Sequence, residues 1–292
     1  LIAMVSDVAG CELVESFGRL DELLAVHRRR GSSIGFVPTL GGLHQGHAAL
    51  IRAACGSSDV VVVSAFLNPT QFEDPADLAR YPHELAADRA LAAAAGADVV
   101  FAPSAEAMYP HGSPEVTVDP GAFGAILEGA ARPGHFRGVA TVVTKLLALV
   151  RPSAAYFGEK DYQQLVLVRQ LVRDLCLPVA IVACPTVREP DGLAVSSRNA
   201  FLDADARRAA AVLYRALRAG AEAVRSGVAD ASGIESVMRA VVASEPAVSL
   251  DYALPVADGH LEWLEAVTGD VVLLIAARVG TVRLIDNLRA RR

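Results

Sequence analysis

His44 and His47 close a stretch reading P-T-L-G-G-L-H-Q-G-H over residues 38–47, and their type and spacing suggest chemistry. Two imidazoles flanking Gly46 can donate hydrogen bonds to phosphate oxygens. The glycines before them, Gly41 and Gly42, let the backbone turn sharply and approach a ligand. Three more polar groups recur along the chain: Asn68 with Gln71 in L-N-P-T-Q-F, Gly158 to Gln164 in G-E-K-D-Y-Q-Q, and Val195 to Arg198 in V-S-S-R. Their types complement a triphosphate beside a small acid. Lys160 is a compact cation able to follow a phosphate through a reaction, Arg198 is a fixed fork, and Ser196 and Ser197 supply hydroxyls. Gly158 has no side chain to obstruct a ribose, and Asp161 can accept from ribose hydroxyls. Neutral Gln71 and Gln164 suit a hydroxylated acid whose hydrogen bonds are matched without added charge.

Other devices are missing. The chain has no Gly-Lys dipeptide and hence no P-loop, and Ser196 lies in no G-x-S-x-G elbow. H-x-G-H has no third ligand nearby for zinc. Of 27 basic residues only Lys145 and Lys160 are lysines, so each is worth examining; Lys145, among Val and Leu, reads as a structural lysine that snorkels. The net charge is −6, and no block of like charge resembles a nucleic-acid footprint. No apolar run is long enough to span a bilayer, and the first residues, with Asp7 and Glu12, lack the apolar region of a signal peptide. Cys11, Cys55, Cys176 and Cys184 have no C-x-x-C spacing and read as reduced, buried thiols of a cytoplasmic protein.

The elements that must position these groups follow from the apolar pattern. The 292 residues are enough for one large or two ordinary domains. Val14 to Arg30 reads as a helix ending at Gly31. Ser33 to Val37 reads as a strand that Pro38 ends, followed by the glycine turn and a helix from Ala48. A strand, a glycine turn and a helix start make an anion-binding corner, because unpaired N–H groups and the helix dipole face the turn. Asp59 to Phe66 and Pro178 to Cys184 read as buried strands, with further strands at Asp98–Ala102 and Ala154–Phe157. Leu127 to Gly138 reads as a glycine-rich basic loop before a helix over Val139–Val150. Strands alternating with helices predict a Rossmann-like parallel sheet with ligands at its carboxyl ends. Beyond Pro185 two alanine-rich helices (about 203–226 and 232–243) precede short strands at 249–253, 271–276 and 282–285. The expected architecture is therefore α/β, with a nucleotide- and acid-binding domain over residues 1–185 and a smaller α+β domain over 186–292.

P-T-L-G-G-L-H-Q-G-H, F-L-N-P-T-Q-F, L-E-G-A-A-R-P-G-H-F-R-G-V, F-G-E-K-D-Y-Q-Q-L and T-V-R-E-P-D-G-L-A-V-S-S-R-N resemble, in order and spacing, the pantothenate synthetase (pantoate–β-alanine ligase) family. The closing R-V-G-T-V-R-L-I-D-N is similar to that family's C-terminal domain. The family belongs to the HIGH-motif nucleotidyltransferases. The resemblance implies condensation of pantoate with β-alanine through a pantoyl adenylate, with ATP and Mg²⁺, by a homodimer joined through its N-terminal domain. It implies that Leu40, Gly41, Gly42, Leu43, His44, Gln45, Gly46 and His47 embrace ATP. Gly158, Glu159, Lys160 and Asp161 would meet ribose and phosphates, Val187 the adenine through its backbone, and Val195, Ser196, Ser197 and Arg198 the phosphates. Gln71 and Gln164 would hold pantoate, with Asn68 lining the same pocket. His44, His47, Lys160 and Arg198 would carry the chemistry. The family gives His47 a proton-donor role; residue types alone support an electrostatic one equally.

The chain departs from the family's usual P-T-M-G-A-L-H and L-A-M-S-S-R at Leu40, Gly42 and Val195. Leu for Met nearly conserves volume, Val195 is shorter, and Gly42 adds freedom in the turn. None removes a charged or hydrogen-bonding group. Two other readings stay open: an adenylyltransferase of the same superfamily acting on another acid, and a weakened paralogue kept for nucleotide binding.

Overall fold

A computed structural model describes residues 10–292; Asp7, used above for the N-terminus, lies outside the described residues. Residues up to Gly158, with Leu167–Cys184, form one compact unit, and Glu159–Val166 with Pro185–Arg292 form a second. A cut at 185 assigns Glu159–Val166 to the first part, whereas their contacts group them with the second.

In the first unit six parallel strands run in the order β1-β4-β3-β2-β5-β6: β1 (Glu12–Val14), β2 (Ile34–Thr39), β3 (Val60–Ala65), β4 (Val99–Phe101), β5 (Ala154–Gly158) and β6 (Ala180–Cys184). The helices between them in sequence are α1 (Phe17–Arg29), α2 (Gln45–Cys55), α3 (Pro75–Arg80), α4 (Leu85–Ala95), α5 (Ala105–Met108), α6 (Glu128–Ala131), α7 (His135–Val150) and α8 (Tyr162–Asp174), whose residues up to Val166 group with the second unit. Val60 to Val63 are buried, as a β-branched run covered on both faces must be. Strand order reverses between β2 and β5, the switch point where such sheets bind ligands.

Several local expectations change. Glu12–Val14 pairs with β4 as a strand, and α1 begins only at Phe17, where Ser16 caps it by accepting from the Arg19 N–H at 3.3 Å. Pro38 does not end β2. Pairing with β5 involves only Gly35 and Phe36, so the missing proline donor faces no partner there, while pairing with β3 continues to Thr39. Residues 135–138 are the first turn of α7 rather than loop. β6 is an edge strand and only Cys184 in it is buried. Cys55 and Cys176 are exposed, and none of the four cysteines is in a disulfide. Lys145 does not snorkel: its ammonium donates to the Met108 carbonyl, with the Phe17 and Tyr109 rings 5.9 and 5.3 Å away.

The second unit places α9 (Ala204–Ala210), α10 (Val212–Arg225) and α11 (Ala231–Ala243) with an antiparallel sheet of β7 (Val248–Ala257), β8 (Val271–Val279) and β9 (Val282–Ala290). Three helices replace the expected two, and the strands run longer. Leu213, Leu217 and Val224 of α10 share one core with Leu273 and Ile275 of β8. Gly220 permits this approach, since a Cβ there would lie 2.9 Å from Leu273. Among the described residues no helix is long and apolar enough to cross a membrane.

Candidate active site

At the carboxyl end of β2 the chain makes its glycine turn. Gly41 and Gly42 adopt φ of +88° and +64°, and a Cβ on Gly42 would lie 2.6 Å from the Pro82 carbonyl oxygen. Both features require glycine. The Asp88 carboxylate, buried on α4, accepts from the Gly42 N–H (3.0 Å) and the Leu43 N–H (2.7 Å). The turn amides expected to face a ligand unpaired are thus held by a resident anion. Asp88 carries no signal in the sequence, because its partners lie more than forty residues away.

His44 is the N-cap of α2. Its Nδ1 accepts from the Gly46 N–H at 3.1 Å, and the Nδ1 of His47 accepts from the His44 N–H at 3.2 Å. The rings stack with centroids 4.1 Å apart. An Nδ1 that accepts carries no proton, so each neutral ring bears its hydrogen on Nε2. The pair therefore closes the helix start on itself through Nδ1, with the ring hydrogens on Nε2.

Asn68 and Gln71 flank the short helical turn Pro69–Gln71 after β3. Asn68 is 0 % exposed and its amide is engaged by protein on both sides. Gln71 is 6 % exposed, and its side-chain oxygen accepts from Asn68 Nδ2 at 3.0 Å. Gly158 ends β5, and a Cβ there would meet nothing within 4 Å, so packing does not demand this glycine.

In the second unit Lys160, Ser196 and Arg198 line one small pocket with Asn199, Arg283 and Asp286. Asn287 of β9 fixes the lysine turn from behind, its Nδ2 donating to the carbonyls of Glu159 and Lys160 at 2.8 Å each. The Lys160 ammonium lies 3.4 Å from Asp161. Val195 donates its N–H to the Val187 carbonyl at 2.9 Å, which joins the two ends of the Val187–Arg198 segment. Arg188 anchors that segment through a two-pronged pair with Asp286 (2.6 and 3.0 Å) and stacks over Tyr214. Burial pushes the Asp286 carboxyl up, and the Arg188 guanidinium pulls it back down. Ser196 accepts from the Arg198 N–H at 3.3 Å and so keeps its own hydrogen as a donor. Gln164 sits half-buried in the first turn of α8, beside Tyr162, whose hydroxyl burial pushes up to about 12.

The pantoate–β-alanine ligase family model matches residues 12–289. The chain belongs to the pantoate–β-alanine ligase family. Among its relatives, the pantothenate synthetase of Chloroflexus aurantiacus is 55% identical over 255 residues, 87% of this chain and 90% of that protein. The crystal structure of pantothenate synthetase from Thermus thermophilus is 45% identical with a TM-score of 0.88, covering 95% of this chain and 98% of that one. A Francisella tularensis pantoate–β-alanine ligase, solved as a complex with βγ-ATP and β-alanine, is 35% identical with a TM-score of 0.76 over 94% of this chain and 96% of its own.

Within this ligase family the closing R-V-G-T-V-R-L-I-D-N gains a function in this chain: Arg283 and Asp286 line the pocket and Asn287 holds the lysine turn. Reading residue types alone finds none of these three roles, nor that of Asp88. The motif spacing pointed to the tail, yet only the antiparallel register of β8 and β9 brings it to Lys160 and Arg188.

Proposed function

We propose that this ligase condenses (R)-pantoate with β-alanine, driven by ATP, through a pantoyl adenylate, with release of pyrophosphate and AMP. The observation that carries the proposal is the reciprocal histidine cap at the carboxyl end of β2, in a chain whose family match runs almost end to end. A pantoate carboxylate oxygen attacks the α-phosphorus in line, and pyrophosphate leaves. The β-alanine amine then attacks the acyl carbon and AMP leaves. The first barrier is mostly charge repulsion and alignment, so fixed donors and cations supply most of the catalysis.

In this reading the Nε2–H groups of His44 and His47 meet phosphate oxygens, and Lys160 and Arg198 follow the charge as it moves onto the leaving group. The cap favours an electrostatic role for His47 over proton donation. Protonating either imidazole fully would put a hydrogen on the Nδ1 that must accept, and the helix start would open. Leu40, Gly41, Gly42, Leu43, Gln45 and Gly46 shape the turn; Gly158, Glu159 and Asp161 serve the ribose side. The Val187 carbonyl is taken by Val195, which leaves the Val187 N–H for the adenine. Gln71 and Gln164 hold pantoate.

Mg²⁺ is expected with the nucleotide. Among the described residues no group of three His, Cys, Asp or Glu side chains could hold a metal, and Asp88 is committed to backbone amides. The donors among the described residues thus form no cage for the ion. A cytoplasmic homodimer in which residues 186–292 act as a lid completes the proposal, on the family resemblance. The test is pantoate-dependent exchange of pyrophosphate into ATP without β-alanine. Robust exchange is expected; exchange only with a different acid, or ATP binding with no exchange, overturns the assignment.

A further inference from the structure

We infer that Asn68 fixes the amide of Gln71 so that Gln71 meets its substrate only as a donor, through Nε2. The inference rests on the reading of Gln71 as a pantoate contact. It begins with two backbone groups whose roles are not interchangeable. The Thr70 N–H can only donate, and it lies 3.3 Å from Asn68 Oδ1; the Gly138 carbonyl can only accept, and it lies 3.3 Å from Asn68 Nδ2. Reversing the Asn68 amide would set NH₂ against N–H and oxygen against oxygen. Two hydroxyls add to the same side, as Tyr109 Oη and Thr70 Oγ1 each donate to Asn68 Oδ1 at 2.9 Å. Asn68 therefore has one orientation, and its remaining Nδ2 hydrogen is aimed at Gln71.

The atom of Gln71 that receives this hydrogen, at 3.0 Å, must be Oε1. Its NH₂ is then turned the other way with both hydrogens unspent. The Nε2 group makes no hydrogen bond among the described residues, although Gln71 is only 6 % exposed. Nε2 is not among the fully enclosed atoms that lack a partner, so the accessible edge of Gln71 presents a donor, which a ligand that accepts would complete: a carboxylate or hydroxyl oxygen, and not an N–H.

The backbone of Gln71 is clamped as firmly. Its carbonyl accepts from His135 Nδ1 at 2.9 Å and from Arg132 Nη2 at 3.3 Å. Arg132 Nη1 lies 3.3 Å from His135 Nε2, which suits the tautomer that puts the His135 hydrogen on Nδ1. Gly138 makes the arrangement possible, because a Cβ there would lie 2.8 Å from the Gln71 Cα. The conspicuous R-P-G-H-F-R-G stretch, to which the proposed reaction assigns no role, is thereby explained as the frame that holds Gln71. Asn68 is a positioning residue.

The experiment measures inhibition of pantoate-dependent pyrophosphate exchange by two analogues. In one the pantoate carboxylate is an amide, and in the other a hydroxyl is replaced by hydrogen. The wild type is expected to discriminate against at least one of them by tenfold or more relative to pantoate, which also reports which oxygen faces Gln71. Asn68→Asp cannot donate to Oε1, so Gln71 turns its NH₂ inward and presents oxygen; a carboxylate cannot donate to that oxygen whereas an amide can, so the discrimination against the carboxamide analogue, the ratio that reads the orientation, should fall at least about tenfold. General loosening of the site would weaken pantoate and analogue alike and leave the ratio unchanged. Gln71→Glu keeps an acceptor for Asn68, so the frame stays satisfied, and it offers only oxygen to the substrate. It should raise the pantoate KM, leave the ATP KM unchanged and lower the same ratio, which keeps the question open to test if Asn68→Asp fails to fold. An unchanged ratio in either folded variant, alongside a raised pantoate KM in Gln71→Glu, overturns the donor-only assignment. An unchanged pantoate KM in Gln71→Glu overturns the pantoate-contact reading beneath it.

Discussion

His44 and His47 each have a structural and a chemical end, and the two can be separated. Replacing His44 by Ala removes the N-cap of α2 together with the Nε2 donor, and such a cap is worth about 1 kcal/mol. Asn is a good capping residue but does not reproduce the imidazole donor. His44→Asn is therefore expected to recover most of the thermal stability that His44→Ala loses while leaving pyrophosphate exchange as low. Equal exchange in the Asn variant and the wild type would show the ring to be a cap alone. Lys160 lacks such a double duty on its side chain, since Asn287 holds its backbone carbonyl and not its ammonium. Lys160→Ala should abolish exchange with an unfolding midpoint close to wild type; near-normal exchange removes its assigned role.

The phosphate turn depends at the scale of elements on α4, which delivers Asp88 to the amides of Gly42 and Leu43. Asp88→Ala is expected to raise the ATP KM by at least about tenfold, the equivalent of one hydrogen bond to a charged group, with the pantoate KM little changed. Equal increases for both substrates would instead mean general loosening. The Val187–Arg198 segment is tied to α9 by the Asp191–Arg207 pair, with Arg207 Nη1 and Nη2 donating to Asp191 at 2.5 and 3.1 Å. The Arg207 hydrogen bond holds the Asp191 carboxyl below the usual carboxylate range. The folded value is thus depressed relative to the unfolded one. Its contribution is complete above about pH 4, the ordinary value of an aspartate, and is lost as the pH falls through the lower folded value. The difference in unfolding midpoint between wild type and Asp191→Asn should therefore shrink on acidification below that range and stay constant above it.

Element scale is also where sequence legibility divides. The β-branched run at Val60–Val63 and the H-x-G-H turn could be read because their signals are local and strong. Glu12–Val14 could not, because three residues carry no period and their strand exists only by pairing with β4. Pro38 misled because a proline's effect depends on which neighbour its missing hydrogen would face. The residue type of Asn68 does not disclose that Thr70, Gly138 and Tyr109 engage its amide. Asp88 and Asp286 stayed hidden for the same reason: their partners are distant in sequence.

At the scale of the whole molecule, the second unit is a helix–sheet core that carries one loop of site residues, and the buried Arg188–Asp286 pair ties loop to core beside the more exposed Asp191–Arg207 pair. Asp286 is 4 % exposed, and removing it leaves the Arg188 guanidinium without its counter-charge, held only by the Gly192 and Asn287 carbonyls and the Tyr214 ring. Asp286→Ala is expected to destabilise the second unit by about 3–5 kcal/mol, the usual effect of breaking a buried pair from one side, and to weaken ATP binding with it. Denaturant unfolding against ATP titration checks both; full stability with intact binding would place the anchor of the loop elsewhere. The lysines carry a different consequence. Of the two, Lys145 has its ammonium on the Met108 carbonyl between aromatic rings, whereas Lys160 stands in the pocket with Ser196 and Arg198. Amine-reactive dyes, biotin esters and coupled sensor surfaces will therefore find, among the side chains, chiefly the one amine that the reaction needs. ATP should shield it, which turns a simple labelling reagent into a footprint of the occupied site.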